Sequence, residues 1–220
     1  MTVLFNQHWD IRPGKEQAYT DFVMTYYSPT LEKCGVRLVG GYNVVVGKGP
    51  GIVAVGLAHN LHDLERALSS MHLEEITDRL LELVTGYESQ ILIPTEKLTA
   101  DGDPVQTGLW KFHQCWNIAA DLAPGRYADF VTTQLLPTLR RAGLTVSGAW
   151  RVIAGSGPSI LAECSAPKLL DIARAIDSEE YRHVMHMLTS SYVTDYHSRI
   201  LSPTGRVEVP ILVKAMMAEF

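Results

Sequence analysis

No run of lysine or arginine occurs in the chain, and its 19 basic residues are outnumbered by 24 acidic ones. A formal charge of -5 removes the cationic footprint on which nucleic-acid binding depends, so no nucleic-acid partner is expected. Cysteine is scarce as well: Cys34, Cys115 and Cys164 are odd in number, and no two stand at C-x-x-C spacing. Neither a disulfide framework nor a zinc ribbon is indicated, which fits a reducing, cytoplasmic setting. No stretch approaches the roughly 18 apolar residues of a membrane span, and the N-terminus MTVLFNQHWDIRPGKE lacks the basic-then-apolar order of a secretory leader. Secretion and membrane insertion are both disfavoured. What is present, 220 residues with 46% hydrophobic and 20% charged, is ordinary globular composition, enough for one large domain or two of about 100 residues. Such a chain suits a small, uncharged or weakly polar ligand better than a macromolecule, and a homodimer is left open.

Laying the second half on the first gives three matching blocks in the same order. Phe5-Asn6-Gln7-His8-Trp9-Asp10-Ile11 matches Phe112-His113-Gln114-Cys115-Trp116-Asn117-Ile118, with Phe, Gln, Trp and Ile held at alternate positions. One side of a strand is conserved between the copies and the other is not. Asp21-Phe22-Val23 with Pro29-Thr30-Leu31 matches Asp129-Phe130-Val131 with Pro137-Thr138-Leu139, and Tyr87 to Leu92 matches Tyr196 to Leu201. Gly47-Lys48-Gly49-Pro50 and Gly155-Ser156-Gly157-Pro158 are hairpin turns between β-branched runs. Each copy therefore reads βαββαβ, the ferredoxin-like order. In the first, strands are expected near 3–11, 36–46, 51–58 and 87–93. Its first helix carries Tyr19, Phe22, Val23, Tyr26 and Leu31 inward, and its second Leu61, Leu64, Leu68, Ile76, Leu80 and Leu83. Pro29 and Pro137, near the ends of their helices, are expected to kink or stop them before Gly35 and Gly143. The expected division is 1–95 and 110–204 for the repeats, a polar linker at 96–109, and a C-terminal extension at 205–220 able to add an edge strand.

This order, the Arg12-Pro13-Gly14-Lys15-Glu16 turn, the helix-end prolines and the Gly-Gly-Tyr or Gly-Ala-Trp of the second strand resemble the dimeric α/β-barrel superfamily, and within it the NIPSNAP and EthD-like branches. The resemblance covers nearly the whole chain. It implies an α+β fold in which two ferredoxin-like βαββαβ repeats pack sheet to sheet as an intramolecular dimeric α/β-barrel. Members include cofactor-independent oxygenases of aromatic polyketides, haem-degrading oxygenases, haem peroxidases and lactone isomerases, so the fold leaves the reaction open.

Candidate residues come from the repeat and from its failures. Gln7 stands seven residues before Gly14, where haem-degrading relatives place an amide facing the ligand cleft; Gln114 follows only from the repeat, because its turn, Ala119 to Gly125, is different. Gln7, Trp9, Gln114 and Trp116 are the shared candidates. Between copies Asn6 becomes His113, His8 becomes Cys115, Tyr26 becomes Gln134, Tyr42 becomes Trp150, Asn43 becomes Arg151 and Val55 becomes Glu163. Glu163 lies on a strand expected to be central, where a lone carboxylate is costly unless paired. Counting from the turn sets Trp150 opposite it, with His113 on its other side and His113 or Arg151 as its partner. His113 and Glu163 are thus the catalytic candidates, for proton transfer, and His8, Tyr26, Tyr42, Trp150 and Arg151 join the ligand-binding set. His183 and His186 fall on a solvated helix face, so no metal site is expected; His72 lies near the buried stripe. The leading expectation is a small-molecule-binding barrel, a cofactor-independent oxygenase or isomerase of an aromatic or apolar compound. The alternatives are a non-catalytic binding or scaffold protein and, with His72, a haem-binding one.

Overall fold

In the computed structural model residues 2–95 and 108–204 are described; the expected edge strand within 205–220 and most of the linker lie outside them. Each half follows the expected order. The first comprises β1 (Val3–Ile11), α1 (Glu16–Phe22), a π-helical segment (Val23–Tyr27), α2 (Ser28–Lys33), β2 (Arg37–Gly47), β3 (Ile52–Ala58), α3 (Leu61–Leu68), α4 (Met71–Leu81) and β4 (Val84–Pro94). The second comprises β5 (Trp110–Ile118), α5 (Arg126–Phe130), a π segment (Val131–Leu135), α6 (Leu136–Arg141), β6 (Thr145–Gly155), β7 (Ile160–Ala166), α7 (Leu169–Asp177), α8 (Glu179–Ser191) and β8 (Val193–Pro203).

The strands close into one antiparallel barrel in the order β1-β3-β2-β8-β5-β7-β6-β4. Two four-stranded sheets meet at two seams, β2 against β8 and β4 against β6, so neither sheet keeps a free edge. Strand alternation then gives every strand an outer face under helices and an inner face toward the lumen. Phe5 and Trp9 pack outward with Leu31, Leu64 and Leu80, and Phe112 and Trp116 do the same with Leu139, Ile172 and Leu188. Leu4, Val53, Val55, Leu92, Cys115, Leu161 and Leu201 fill the lumen. The side of the strand that the repeat holds fixed is therefore the helix-covered side, and the side that diverges faces the other half.

Two helical expectations are corrected. The first helix of each half ends just before Gly35 and Gly143, as expected, at Lys33 and Arg141, but its face is not the expected one, because it widens to a π turn just before Pro29 and Pro137. Proline offers no N–H to the preceding turn, and the wider turn accommodates that loss. The extra residue rotates the face: Tyr27 is fully buried, while Tyr26, taken as inward, is 50% exposed. The second helix is two helices broken at Ser69 and Ser70, and Leu61 and Leu68 near the ends of the first piece are partly exposed.

A Gly-x-aromatic pattern on β2 and β6 also gains a reason. Residues two apart on a strand share a face, and a Cβ at Gly40 would lie 2.7 Å from the Tyr42 ring, one at Gly148 2.5 Å from the Trp150 indole nitrogen. The missing side chain lets each ring fold back along its own strand.

Candidate functional site

The candidates separate into three places. The first lies beneath the helices. The Gln7 amide nitrogen donates to the hydroxyls of Tyr27 (2.6 Å) and Tyr87 (2.9 Å), and the Gln114 amide oxygen accepts from Tyr181 and Tyr196, both at 3.2 Å. The second hydroxyl comes from a different helix in each half: Leu135 stands in the place of Tyr27, and Leu73 in that of Tyr181. Trp9 donates to Tyr19 (3.0 Å) and Trp116 to Tyr127 (2.9 Å). All four repeat-fixed residues are buried; tyrosines meet both indole N–H groups and one end of each amide, and Gln7 Oε1 and Gln114 Nε2 are buried without a partner.

The second place is the lumen, which gathers His8, Tyr42, Trp150, His113 and Glu163. Glu163 does meet His113, whose Nε2 lies 2.9 Å from the carboxylate, but its other oxygen accepts from Lys111 Nζ (2.6 Å) and Ser147 Oγ (2.7 Å). Trp150 is not opposite Glu163: Gly148 is, and Trp150 faces Leu161, because the pairing of β6 with β7 begins only at Arg151 and Ile160, a longer turn than counted. Arg151 is not the partner either, since it points out of the barrel. Burial would raise the Glu163 carboxyl, yet His113 and Lys111 outweigh it and hold the group at about 2, while burial depresses His113. The pair is thus an ionised Glu163 with Lys111 as its cation and a neutral His113. His8 lies nearby, with Nε2 3.4 Å from Gln90 Oε1; burial, then Arg199, lowers it to about 3. In the first half Leu4, Asn6, Val39 and Val55 occupy the places of Lys111, His113, Ser147 and Glu163, so the cluster belongs to one half alone. Lys111 and Ser147 escape notice in the sequence, although Lys111 two residues before His113 and the Leu4-to-Lys111 change both carry the signal.

The third place is a cleft of about 620 Å³ in the second half, where the turn after β5, α5 and its π segment stand over the seam of β4 and β6. Its wall is mostly Ile93, Ile118, Leu122, Pro124, Val131 and Ile160, with Thr95, Tyr127, Thr132 and Arg151 as its polar side chains. Of the candidates only Arg151 lines it. The cleft arises from the departure noted in the second turn. From Ile11 to Phe22 is eleven positions and from Ile118 to Phe130 twelve, and α5 begins later than α1, so an irregular Ala119–Gly125 stretch replaces a turn of helix. Burial pushes the Tyr127 hydroxyl up to about 12, leaving it protonated with its oxygen accepting from Trp116. Two shallower grooves lie between helices and sheet, one of about 690 Å³ over Tyr181 and Tyr196 and one of about 450 Å³ over Gln7 and Tyr87. His113 and Glu163 line none of the three.

The remaining histidines do not assemble a centre. His183 and His186 are exposed, as expected, and so is His72, which the helix break turns off the buried stripe. Among the described residues no group of three or more His, Cys, Asp or Glu could hold a metal ion, and no helix is long and apolar enough to cross a membrane.

No family model matches the chain, and no curated protein is similar to it. Solved structures are. A monooxygenase-like protein from Lactobacillus acidophilus superposes with a TM-score of 0.60 at 10% identity, over 92% of this chain and 93% of its own. An anthrone oxidase-like protein gives 0.60 at 10% identity, over 92% and 90%. A NIPSNAP family protein from Agrobacterium tumefaciens is 22% identical over 44% of this chain and 95% of its own, with a TM-score of 0.37. At such identities the likeness speaks for the fold alone. With eight antiparallel strands closed from two βαββαβ halves, the chain has the fold of the dimeric α/β-barrel superfamily, both units of the barrel lying in one polypeptide.

Proposed function

We propose that the chain binds a small apolar or aromatic compound in the cleft above the β4–β6 seam. The observation that carries this is the cleft itself: about 620 Å³ is the size of a small-molecule site, and its wall is aliphatic with a few convergent polar groups. The finer proposal is that the compound is a substrate, and that the reaction is a cofactor-independent oxygenation; the names of the monooxygenase-like and anthrone oxidase-like structures support oxygenation over isomerisation. In that reaction Tyr127 is a protonated donor to a ligand oxygen. Lys111, Glu163 and His113 would tie the strands of the second half to one another rather than move protons, being sealed in the lumen. The same seal favours a second reading, a binding protein without a reaction; oxygen uptake on addition of a bound compound separates the two.

Titration with mono- and bicyclic aromatic compounds, followed by tryptophan fluorescence, should give saturable binding. Ala128→Trp, at a half-buried position of the cleft wall, should abolish it while the protein stays folded. Glu163→Gln should leave affinity unchanged and lower stability by about 3 kcal/mol, because it strands Lys111 as a buried cation. Binding that survives Ala128→Trp would place the ligand elsewhere and end this proposal.

A further inference from the structure

Resting on the cleft as the ligand site, we infer that its ligand is an anion: an aromatic or otherwise apolar body bearing a carboxylate or phenolate that pairs with Arg151. The expectation from composition was a ligand of little charge, and the polar lining argues against it.

Arg151 is the one charged side chain of the cleft wall among the described residues, and its guanidinium makes no ion pair and no hydrogen bond there. Some surface arginines do find partners: Arg66 pairs with Asp63 at 3.0 Å, Arg141 with Glu180 at 3.1 Å, and Arg79 lies over the rings of Phe22 and Tyr26, whereas Arg37 and Arg174 stand free in solvent on no cleft wall. In a chain of net charge -5, a bare guanidinium over an aliphatic wall stands out. Its backbone is fixed in the seam, paired to Ile93 on one side and Ile160 on the other, both of them cleft residues. An apolar body against these two side chains is within reach of the cation that lies between them.

The other polar groups leave the same complement. The Thr95 hydroxyl donates to the Ala149 carbonyl at 3.2 Å, and that of Thr132 to the Ala128 carbonyl at 2.9 Å. Tyr127 takes the Trp116 proton on its oxygen and keeps its own O–H to give. Among the described residues, the side-chain donors left free in the cleft are therefore Tyr127 and Arg151, and no carboxylate or imidazole lines it. The repeat agrees: Asn43 occupies the place of Arg151 in the half where the turn is shorter and α1 begins earlier. Charge was added on the side where the cleft is.

The test compares 1-naphthoate with 1-naphthamide, which share an apolar body and differ in charge, by calorimetric titration of the full chain, Arg151→Gln, Arg151→Lys and Ala128→Trp. Naphthoate should bind about fivefold to tenfold more tightly than naphthamide, the scale of one charge-assisted contact in a partly solvated site. Arg151→Gln should erase that preference without weakening naphthamide, Arg151→Lys should keep part of it, and raising salt from about 50 to about 500 mM should shrink it in the wild type only. Equal affinity for both probes, or a naphthoate preference that persists in Arg151→Gln, overturns the inference; the cleft reading then stands provided Ala128→Trp abolishes binding of both. If neither probe binds the wild type, both fall.

Discussion

His8 is a neutral imidazole placed where it can neither reach water nor meet a carboxylate. Its Nε2 faces Gln90, its Nδ1 has no partner, and Arg199 lies close enough to oppose a second positive charge. Its folded pKa of about 3 is below the 6.5 of the open chain, so between those values the unfolded state binds a proton that the folded state refuses. Stability therefore rises with pH through this window, and at pH 5 the deficit from this residue is about 2 kcal/mol relative to pH 7.5. His113, also depressed by burial, acts in the same direction, whereas Glu163 contributes stability that is lost only as pH falls below about 4.5 toward 2. Urea unfolding at pH 7.5 and pH 5 should show a smaller difference in His8→Gln than in wild type. An equal difference in both would mean that the folded protein protonates His8 as readily as the open chain does.

At the scale of elements, the seams are the places where the repeat is held to a geometric standard. Gly47 pairs with Arg199 across the β2–β8 seam, and Gly155 with Gln90 across the β4–β6 seam. Both have left-handed φ, 105° and 106°, and a side chain on either would strike the facing strand: the Ser198 carbonyl in one, the Ser89 carbonyl in the other. The turn pattern Gly-x-Gly-Pro is a hairpin signal, and its first glycine also marks a place where the halves approach too closely for a side chain. Gly155→Ala should lower stability by about 3 kcal/mol, the left-handed penalty plus the clash. Gly35→Ala, with φ of 93° and no atom within 4 Å of the new Cβ, should lower it by about 1 kcal/mol. Equal losses in denaturant titrations would mean that the seam yields. The helices teach a related lesson. A 3.6-residue period run through Phe22 and Tyr26 misses Tyr27, because a π turn inserts a residue that propensity does not announce. The later α5 and its irregular turn, which open the cleft, were visible only as a broken match in the repeat.

For the molecule as a whole, the lumen is where two similar surfaces must fit each other rather than resemble each other. One half contributes Leu4, Val39, Val53 and Val55; the other contributes Lys111, Ser147 and Glu163 with His113 and Arg199. The charges of the second half neutralise one another in part and are roofed by the apolar face of the first. Separated fragments should therefore behave differently. Residues 1–95 alone expose a sheet face that is uncharged and mostly apolar, with Asn6 and His8 as polar exceptions, and should self-associate into a homodimer, while 108–204 alone, whose pairing would bring two Lys111–Glu163 clusters together, should stay monomeric or unfolded. Size-exclusion chromatography with light scattering reads this directly, and a well-folded dimer of the second fragment would contradict it.

The sequence by itself determined the architecture, since duplicated strand faces, hairpin turns and amphipathic helices are local patterns that survive any arrangement of their neighbours. It also marked His113 and Glu163 as a pair, because a carboxylate on a buried strand must find a partner nearby. Only the tertiary structure decided that Lys111 shares that carboxylate, that the cluster is sealed in the lumen, and that a cleft opens instead beside Arg151 and Tyr127. Those outcomes depend on strand register, on a bulge at β6 and on the path of one turn, and each brings together residues that are distant in the chain.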